Sequence, residues 1–227
     1  MQRFADRAAA GRALAARLVG MAGTNAVVLA LPRGGVAVAL PIAAALGAPL
    51  DLVLVRKIGA PGQPELAIGA IADGPVAELV TDARLLRAFD ISAEWLAASR
   101  ARETAEMERR RAAYLGGRRR EPVAGRVAIL VDDGLATGAT MLAALRAVRR
   151  CGPARLVVAV PVAAADSLAR CAAEADETVC LRTPRVFGAV GAHYRAFPQL
   201  TDAEVIALLD QVAAARAGEV GAGPAGS

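Results

Sequence analysis

The chain of 227 residues alternates short, continuous apolar runs with longer stretches in which apolar residues recur every three or four positions. Continuous short runs are typical of strands buried on both faces, and the longer period is typical of helices. Strands are predicted at 26–31, 50–55, 127–131, 156–161 and 178–181. Helices are predicted at 4–20, 36–46, 92–114, 139–150, 166–174 and 201–212. This alternation predicts an α/β fold, a Rossmann-like parallel sheet of about five strands with helices on both faces.

The same pattern predicts two additions to the sheet. Alternating segments flank Asp73-Gly74-Pro75 and indicate a small hairpin at about 68–81. Ser92 can cap a long charged helix over about 92–115, and the Gly- and Arg-rich stretch that follows it indicates a loop. We therefore expect one domain over 1–217 and a disordered tail over 218–227.

The composition indicates the kind of core, the state of the cysteines and the absence of a membrane-spanning segment. Hydrophobic residues make up 56% of the chain but aromatic residues only 3%, so the core is expected to be aliphatic. The three cysteines lack metal-type spacing and favour free thiols in a reducing cytoplasm. The longest uncharged run, 34–50, contains Pro41 and is shorter than a membrane-spanning helix, so no membrane association is expected.

A formal charge of +5 raises the possibility of nucleic-acid binding. The arginine clusters at 109–111, 118–120 and 149–150 would carry it. However, Arg102, Glu106 and Arg110 are spaced four residues apart, which pairs charges along one helix face. We therefore expect a solvated surface and no nucleic-acid partner.

The stretch VAILVDDGLATGAT, residues 127–140, carries the most informative chemistry. A buried strand ends in Asp132 and Asp133, which repel each other unless something compensates their charge. The following loop consists mostly of glycine, alanine and threonine, so its backbone amides can turn toward an anion at the start of the next helix. We interpret the loop as a cradle for a phosphate monoester and the aspartates as acceptors for vicinal hydroxyls. An Asp cap would account for one aspartate only.

Two further loops follow predicted strands and are expected at the same edge of the sheet, 32–35 and 56–59. The second contains Lys57, the only lysine among the 27 basic residues. Because arginine serves at every other basic position, this position is expected to need the compact ammonium group of lysine.

Residues 129–140, with two acids, a small-residue loop and a Thr-Gly-x-Thr ending, resemble the signature of type I phosphoribosyltransferases. These enzymes bind 5-phosphoribosyl-1-pyrophosphate (PRPP). Further segments at 4–7, 31–36, 55–59 and 64–69 are similar to an uncharacterised bacterial branch of the family, and the resemblance extends over roughly residues 4–206. It implies the type I phosphoribosyltransferase fold with a small hood over the site.

The resemblance also implies roles for individual residues. Asp132 and Asp133 would hold the ribose hydroxyls, act in catalysis and contact Mg²⁺ indirectly, through PRPP or water. The residues implied for the 5′-phosphate are Gly134, Leu135, Ala136, Thr137, Gly138, Ala139 and Thr140. Those implied for pyrophosphate are Arg33, Gly34, Gly35, Arg56 and Lys57, of which Arg33 and Lys57 would also be catalytic. The candidates for acceptor binding are Phe187, His193, Tyr194 and Phe197. In the family, the pyrophosphate loop often contains a cis peptide bond that does not precede proline.

The implied activity is Mg²⁺-dependent transfer of the phosphoribosyl group from PRPP to a nitrogenous acceptor, with release of pyrophosphate. Such an activity belongs to nucleotide metabolism. Aspartates would stabilise an oxocarbenium-like state, and Mg²⁺, Arg33 and Lys57 would neutralise the leaving group. No covalent nucleophile is needed, and the chain has one histidine, His193, and no Gly-x-Ser-x-Gly motif. We expect a cytoplasmic homodimer; purine, pyrimidine and pyridine acceptors all remain open.

Two alternatives from other classes remain. A PRPP-sensing regulatory protein could use the same cradle without turnover and contact nucleic acid through its arginine-rich helix. A phosphate-ester hydrolase could use Asp132 or Asp133 as nucleophile or metal ligand, but it would need a further acidic pair downstream.

Overall fold

A computed structural model describes residues 3–73 and 78–221. Its helices are α1 (Arg7–Leu18), α2 (Gly34–Leu46), α3 (Ala83–Ala88), α4 (Ala93–Leu115), α5 (Ala139–Arg150), α6 (Ala165–Ala172) and α7 (Asp202–Gly221). Its strands are β1 (Ala26–Ala30), β2 (Leu50–Leu52), β3 (Val55–Ala60), β4 (Gln63–Ala72), β5 (Glu78–Thr81), β6 (Val127–Val131), β7 (Arg155–Val162) and β8 (Glu177–Arg182).

The centre of the molecule is a parallel sheet in the order β2-β1-β6-β7-β8. The two central strands pair in register from Ala26 opposite Val127 to Ala30 opposite Val131. All five residues of β1 are buried, as the continuous apolar run predicts for a strand covered on both faces. Alternate residues of the strands contribute to two apolar clusters, one on each side of the sheet. The predicted α/β class and the five-stranded parallel sheet are confirmed.

The prediction of one strand over 50–55 was wrong, because the chain leaves the parallel sheet after Leu52. Residues from Val55 onward form β3, the first strand of a separate antiparallel sheet in the order β3-β4-β5. The turn between β3 and β4 contains Gly62, with φ +73°, a conformation that favours glycine. The predicted hairpin at 68–81 corresponds to β4 and β5, although β4 begins earlier, at Gln63. Gly74 and Pro75, the predicted turn, lie outside the described residues.

A buried ion network, Asp51–Arg111–Asp73, holds the two sheets and α4 together. Arg111 donates two hydrogen bonds to Asp51 of β2, at 2.7 and 2.9 Å, and one of 2.7 Å to Asp73, which follows β4. Arg120 donates a further bond of 3.0 Å to Asp73. Long-range contacts of this kind are invisible to periodicity, since 60 residues separate Arg111 from Asp51.

Helix ends follow the predicted capping signals. The Ser92 hydroxyl accepts from the Trp95 amide at the start of α4, and Thr201 and Glu204 bond reciprocally before α7. α7 continues to Gly221, four residues into the predicted tail, and residues 222–227 lie outside the described part of the chain. No helix among the described residues is long and apolar enough to cross a membrane.

Most of the arginine-rich surface is neutralised locally. On α4, Glu106 accepts from Arg109 at 2.7 Å and from Arg110 at 2.9 Å, which confirms the predicted pairing at this glutamate. Arg102 instead donates to the Ser99 hydroxyl. Because these side chains already have partners, α4 offers fewer cations to a phosphate backbone than its composition indicates.

Candidate functional site

The loops after β1 and β6 meet because these two parallel strands are neighbours. The Leu31 amide donates to the Val131 carbonyl at 2.9 Å, which extends the pairing to the edge of the sheet. A Cβ on Gly35 would lie 2.7 Å from that carbonyl and 3.1 Å from the Asp132 Cα. Only glycine permits this approach, so the predicted pyrophosphate loop touches the predicted sugar site. The Pro32–Arg33 peptide bond is cis, as the resemblance implies.

Two carbonyls of the loop of residues 134–138 accept hydrogen bonds from side chains of α6. The Ser167 hydroxyl donates to the Ala136 carbonyl at 2.6 Å, and Arg170 donates to the Thr137 carbonyl at 2.7 Å. The loop amides of 136–138 donate to no other described residue. Gly138 has φ +69°, which turns the chain into the first residue of α5. Amides without a described partner at a helix start are suited to binding an anion, so residues 134–140 stay the predicted phosphate cradle.

Asp132 and Asp133 end β6 beside this loop. The Asp132 Oδ1 accepts from the Asp133 amide at 2.8 Å. Burial and the neighbouring Asp133 carboxylate raise the pKa of Asp132 well above its ordinary value. Burial also raises the pKa of Asp133, although an arginine partner opposes the change. The pair therefore holds a negative charge that the surrounding protein only partly compensates.

The compensating group is Arg7 of α1, a residue to which the sequence assigned no role. Its Nε lies 2.8 Å from the Asp133 Oδ2, and the two side chains are only 10% and 15% exposed. Arg7 lies 126 positions from Asp133, so no spacing rule relates them. The segment 4–7 contributed to the resemblance, but nothing in the sequence indicated which carboxylate Arg7 contacts.

The residues predicted to bind pyrophosphate lie in different surroundings and do not form one cluster. Gly34 and Gly35 lie against the aspartates, whereas the exposed Arg33 is 3.6 Å from Asp202 at the start of α7. Arg56 is paired with Glu103 of α4 at 2.8 Å. Because successive side chains of a strand point to opposite faces, Lys57 lies on the other face of β3.

Lys57 lines a groove between the antiparallel sheet and α5. The groove has a volume of about 530 Å³, and its lining includes Ala139 at the start of α5 together with Arg84, Arg87 and Arg146. Arg146 is paired with Glu174. The Lys57 side chain is exposed and makes no ion pair with a described carboxylate, and it lies beside the helix that follows the predicted phosphate cradle.

The predicted acceptor residues form a hood segment, 187–198, that packs on the N-terminal residues. The Phe4 amide donates to the His193 carbonyl, and the Phe4 and Tyr194 rings lie 5.6 Å apart. Tyr194 is buried, and its hydroxyl donates to the Asp133 carbonyl at 2.6 Å. His193 stacks obliquely near Phe187 with centroids 5.2 Å apart. The hood thus contacts the predicted sugar site, and its acceptor candidates Phe187, His193 and Phe197 are half-buried.

No group of three or more His, Cys, Asp or Glu side chains is placed to hold a metal ion within residues 3–73 and 78–221. The Asp132–Asp133 pair offers two carboxylates with excess negative charge. Such oxygen donors suit Mg²⁺ when phosphate oxygens and water complete its coordination. The residues present therefore fit an ion that binds together with a phosphorylated ligand.

Comparison with known proteins agrees with this geometry. The family profile described as phosphoribosyl transferase domain matches residues 3–194. Two Mycobacterium tuberculosis sequences, from strains CDC 1551 and H37Rv, are 48% identical over 211 residues, and both are named as phosphoribosyl transferases by inference. The match covers 93% of this chain but 47% of theirs, so the chain spans about half the length of these relatives. A crystal structure from Thermus thermophilus is 46% identical, with a TM-score of 0.79 over 92% of this chain and 99% of that one. The chain belongs to the phosphoribosyl transferase domain family.

Proposed function

We propose that the protein transfers the 5-phosphoribosyl group of PRPP to a nitrogenous acceptor and releases pyrophosphate. The observation that carries the proposal is the position of Asp132 and Asp133. The two aspartates lie between the loop of residues 136–138, whose amides have no described partner, and a second loop, whose Gly34 and Gly35 contact the aspartates. One sugar phosphate with groups at both ends fits this arrangement: its 5′-phosphate in the cradle, its hydroxyls on the aspartates and its pyrophosphate toward residues 33–35.

Asp132 and Asp133 would have two roles in the reaction. Two of their four carboxylate oxygens, Asp132 Oδ2 and Asp133 Oδ1, accept no hydrogen bond from another described residue. Neither oxygen is fully buried without a partner. They are therefore accessible to the 2′- and 3′-hydroxyls. As the bond from C1 to pyrophosphate breaks, positive charge develops on the sugar ring. Fixed carboxylates nearby favour that state over the neutral substrate.

The leaving pyrophosphate gathers negative charge as the bond breaks. Bound Mg²⁺ would supply charge neutralisation and orientation for the phosphate oxygens. From the protein, Arg33 is the cation that adjoins the glycines of residues 34–35, and its exposed side chain is only 3.6 Å from the exposed Asp202. Lys57 would act from the groove beside α5, and Arg56 is paired with Glu103. The glycine backbone at 34–35 lets the phosphate groups approach the main chain closely.

The hood segment would position the acceptor on the opposite side of the sugar from pyrophosphate. Phe187 and His193 are half-buried and can present ring faces, whereas the buried Tyr194 acts through the Asp133 carbonyl. A flat heteroaromatic acceptor, such as a nucleobase or a related nitrogen heterocycle, suits an aromatic surface of this kind.

The experiment that tests the proposal measures pyrophosphate release from PRPP and Mg²⁺ across a panel of purines, pyrimidines and pyridines. We expect release to depend on one class of acceptor and to disappear in Asp132→Asn/Asp133→Asn. PRPP binding by calorimetry, without acceptor, separates a transferase from a sensor: tight binding without release for any acceptor would favour the PRPP-sensing alternative. Absence of PRPP binding would contradict both.

A further inference from the structure

The two aspartates at the end of β6 differ in direction as well as in partners. The Asp133 Oδ2 lies where a Cβ on Gly34 would be, only 1.9 Å from that position, and the same Cβ would be 3.1 Å from the Arg7 Nε. The Asp133 side chain is therefore turned inward, against the backbone of residues 33–35. Asp132 has no cationic partner within hydrogen-bonding distance among the described residues.

Arg7 holds this inward orientation and also binds the hood segment. Its Nη1 donates to the Pro198 carbonyl at 2.7 Å, and its guanidinium lies 3.7 Å from the centroid of the Phe197 ring. Tyr194, 4.9 Å from Phe197, donates to the Asp133 carbonyl. One planar guanidinium thus joins an aspartate of the sugar site to the segment that packs over it, a fork geometry that lysine does not reproduce.

We propose that Arg7 is a positioning residue, which holds the Asp133 carboxylate against residues 33–35 and couples its position to the packing of the hood segment. The two aspartates then differ in role. Asp133 is anchored through Oδ2 and leaves Oδ1 for a ligand, while Asp132 has no cationic partner among the described residues. The proposal deepens the proposed function, on which its ligand-binding half rests; its structural half concerns the protein without ligand.

The test of the structural half is amide hydrogen exchange of ligand-free protein. Arg7→Met removes the hydrogen bond to the Pro198 carbonyl and the contact with the Phe197 ring, so the hood amides of residues 195 and 196, which donate to the carbonyls of residues 4 and 5, should exchange at least tenfold faster. Arg7→Lys keeps a positive charge without the planar fork and should be intermediate. Arg12→Met, an exposed arginine of the same helix, is the matched control and should leave the exchange unchanged. Hood exchange that is identical in wild type, Arg7→Lys and Arg7→Met would overturn the proposal.

The test of the coupling measures PRPP affinity by calorimetry at neutral pH. Arg7→Met should bind PRPP at least tenfold more weakly than the wild type, because Asp133 is no longer held against residues 33–35, and Arg7→Lys should be intermediate. Arg12→Met should bind like the wild type. Should Arg7→Met not fold, Arg7→Lys and Tyr194→Phe, which removes the bond to the Asp133 carbonyl, provide the same readouts.

The two halves separate failure of this proposal from failure of the proposed function. Faster hood exchange in Arg7→Met, in a protein that binds no PRPP, would retain the role of Arg7 and reject the transferase. PRPP binding and turnover that are the same in wild type, Arg7→Lys and Arg7→Met, with unchanged hood exchange, would retain the transferase and reject the role of Arg7.

Discussion

A buried and a half-buried pair of aspartates lie in different parts of this molecule, and they have different charge balances. Asp51 and Asp73 share Arg111 and Arg120, two cations for two carboxylates. Among the described residues, Asp132 and Asp133 have a single cation, Arg7, which contacts only Asp133. Both pairs lie close to strand ends, so position in the fold does not distinguish them.

Hydrogen bonding shows the same difference. All four carboxylate oxygens of Asp51 and Asp73 accept at least one bond, including those from the amides of Leu52, Leu54 and Glu121. In the Asp132–Asp133 pair, two oxygens accept none from another described residue. A network that is balanced and fully bonded stabilises the fold, whereas a pair with excess charge and accessible acceptors is suited to a ligand.

The largest effect is expected where the balanced network loses its central cation. Arg111→Met leaves Asp51 without a cation in a buried setting and should lower the free energy of unfolding by about 3–5 kcal/mol. Urea denaturation measures it. The control is Arg120→Met, whose half-exposed side chain shares Asp73; that change should cost less than about 1 kcal/mol. Equal losses in the two variants would show that the network is not organised around Arg111.

The next effect concerns ligand binding at the unbalanced pair. Asp132→Asn/Asp133→Asn removes both acceptor charges and should weaken PRPP binding at least a hundredfold, about 2.7 kcal/mol. Calorimetry in the presence of Mg²⁺ measures the affinity. Asp210→Asn, an exposed carboxylate of α7, is the control and should leave it unchanged. Wild-type affinity in the double variant would remove the main support for the sugar site.

A smaller effect is expected at Lys57, whose ammonium lies in the groove beside α5. Lys57→Arg keeps the charge but changes its geometry, so turnover should fall roughly tenfold with PRPP binding mostly retained. Lys57→Ala should be worse. Arg84→Lys makes the reverse exchange at another cation of the same groove and should have little effect. Full turnover in Lys57→Arg, measured with the true acceptor, would show that the lysine is not specifically required.

The smallest expected effect is a difference in thermal stability between variants of the two aspartates. The raised pKa of Asp132 means that its ionised form destabilises the folded state. This cost is absent below the unfolded pKa, near 3.8, and grows as pH rises through the folded pKa. Asp132→Asn should therefore raise the free energy of unfolding of the ligand-free protein at pH 7.5 by about 1 kcal/mol, which is measured as a higher Tm. The gain should vanish toward pH 4.

Asp133→Asn should raise the stability less than Asp132→Asn, because the smaller burial cost that it relieves is offset by leaving Arg7 without its ion-pair partner. Thermal melts of the two single variants over pH 4–8 provide the comparison. Equal shifts would contradict the division between a paired and an unpaired aspartate. The double variant combines both contributions, so its stability alone does not test the division.

Local pattern determined the architecture and identified the candidate phosphate cradle. Continuous apolar runs such as 127–131 identify strands buried on both faces, because a strand covered by helices has no polar face. Gly138 and its small neighbours identify the loop, because only small residues let amides converge on an anion. The same reasoning failed at 50–55, since an apolar run does not reveal that the chain passes from a parallel to an antiparallel sheet.

Tertiary structure decided which charges meet. The sequence indicated that Asp132 and Asp133 need compensation, and it assigned that task to a bound sugar phosphate with Mg²⁺. The fold brings Arg7 to Asp133 across 126 positions, and it pairs Arg56 with Glu103 while Lys57 stays exposed. Every arginine carries the same charge, so composition and spacing cannot distinguish these cases. Only the packing of α1, the hood segment and β6 determines which carboxylate is neutralised and which remains for a ligand.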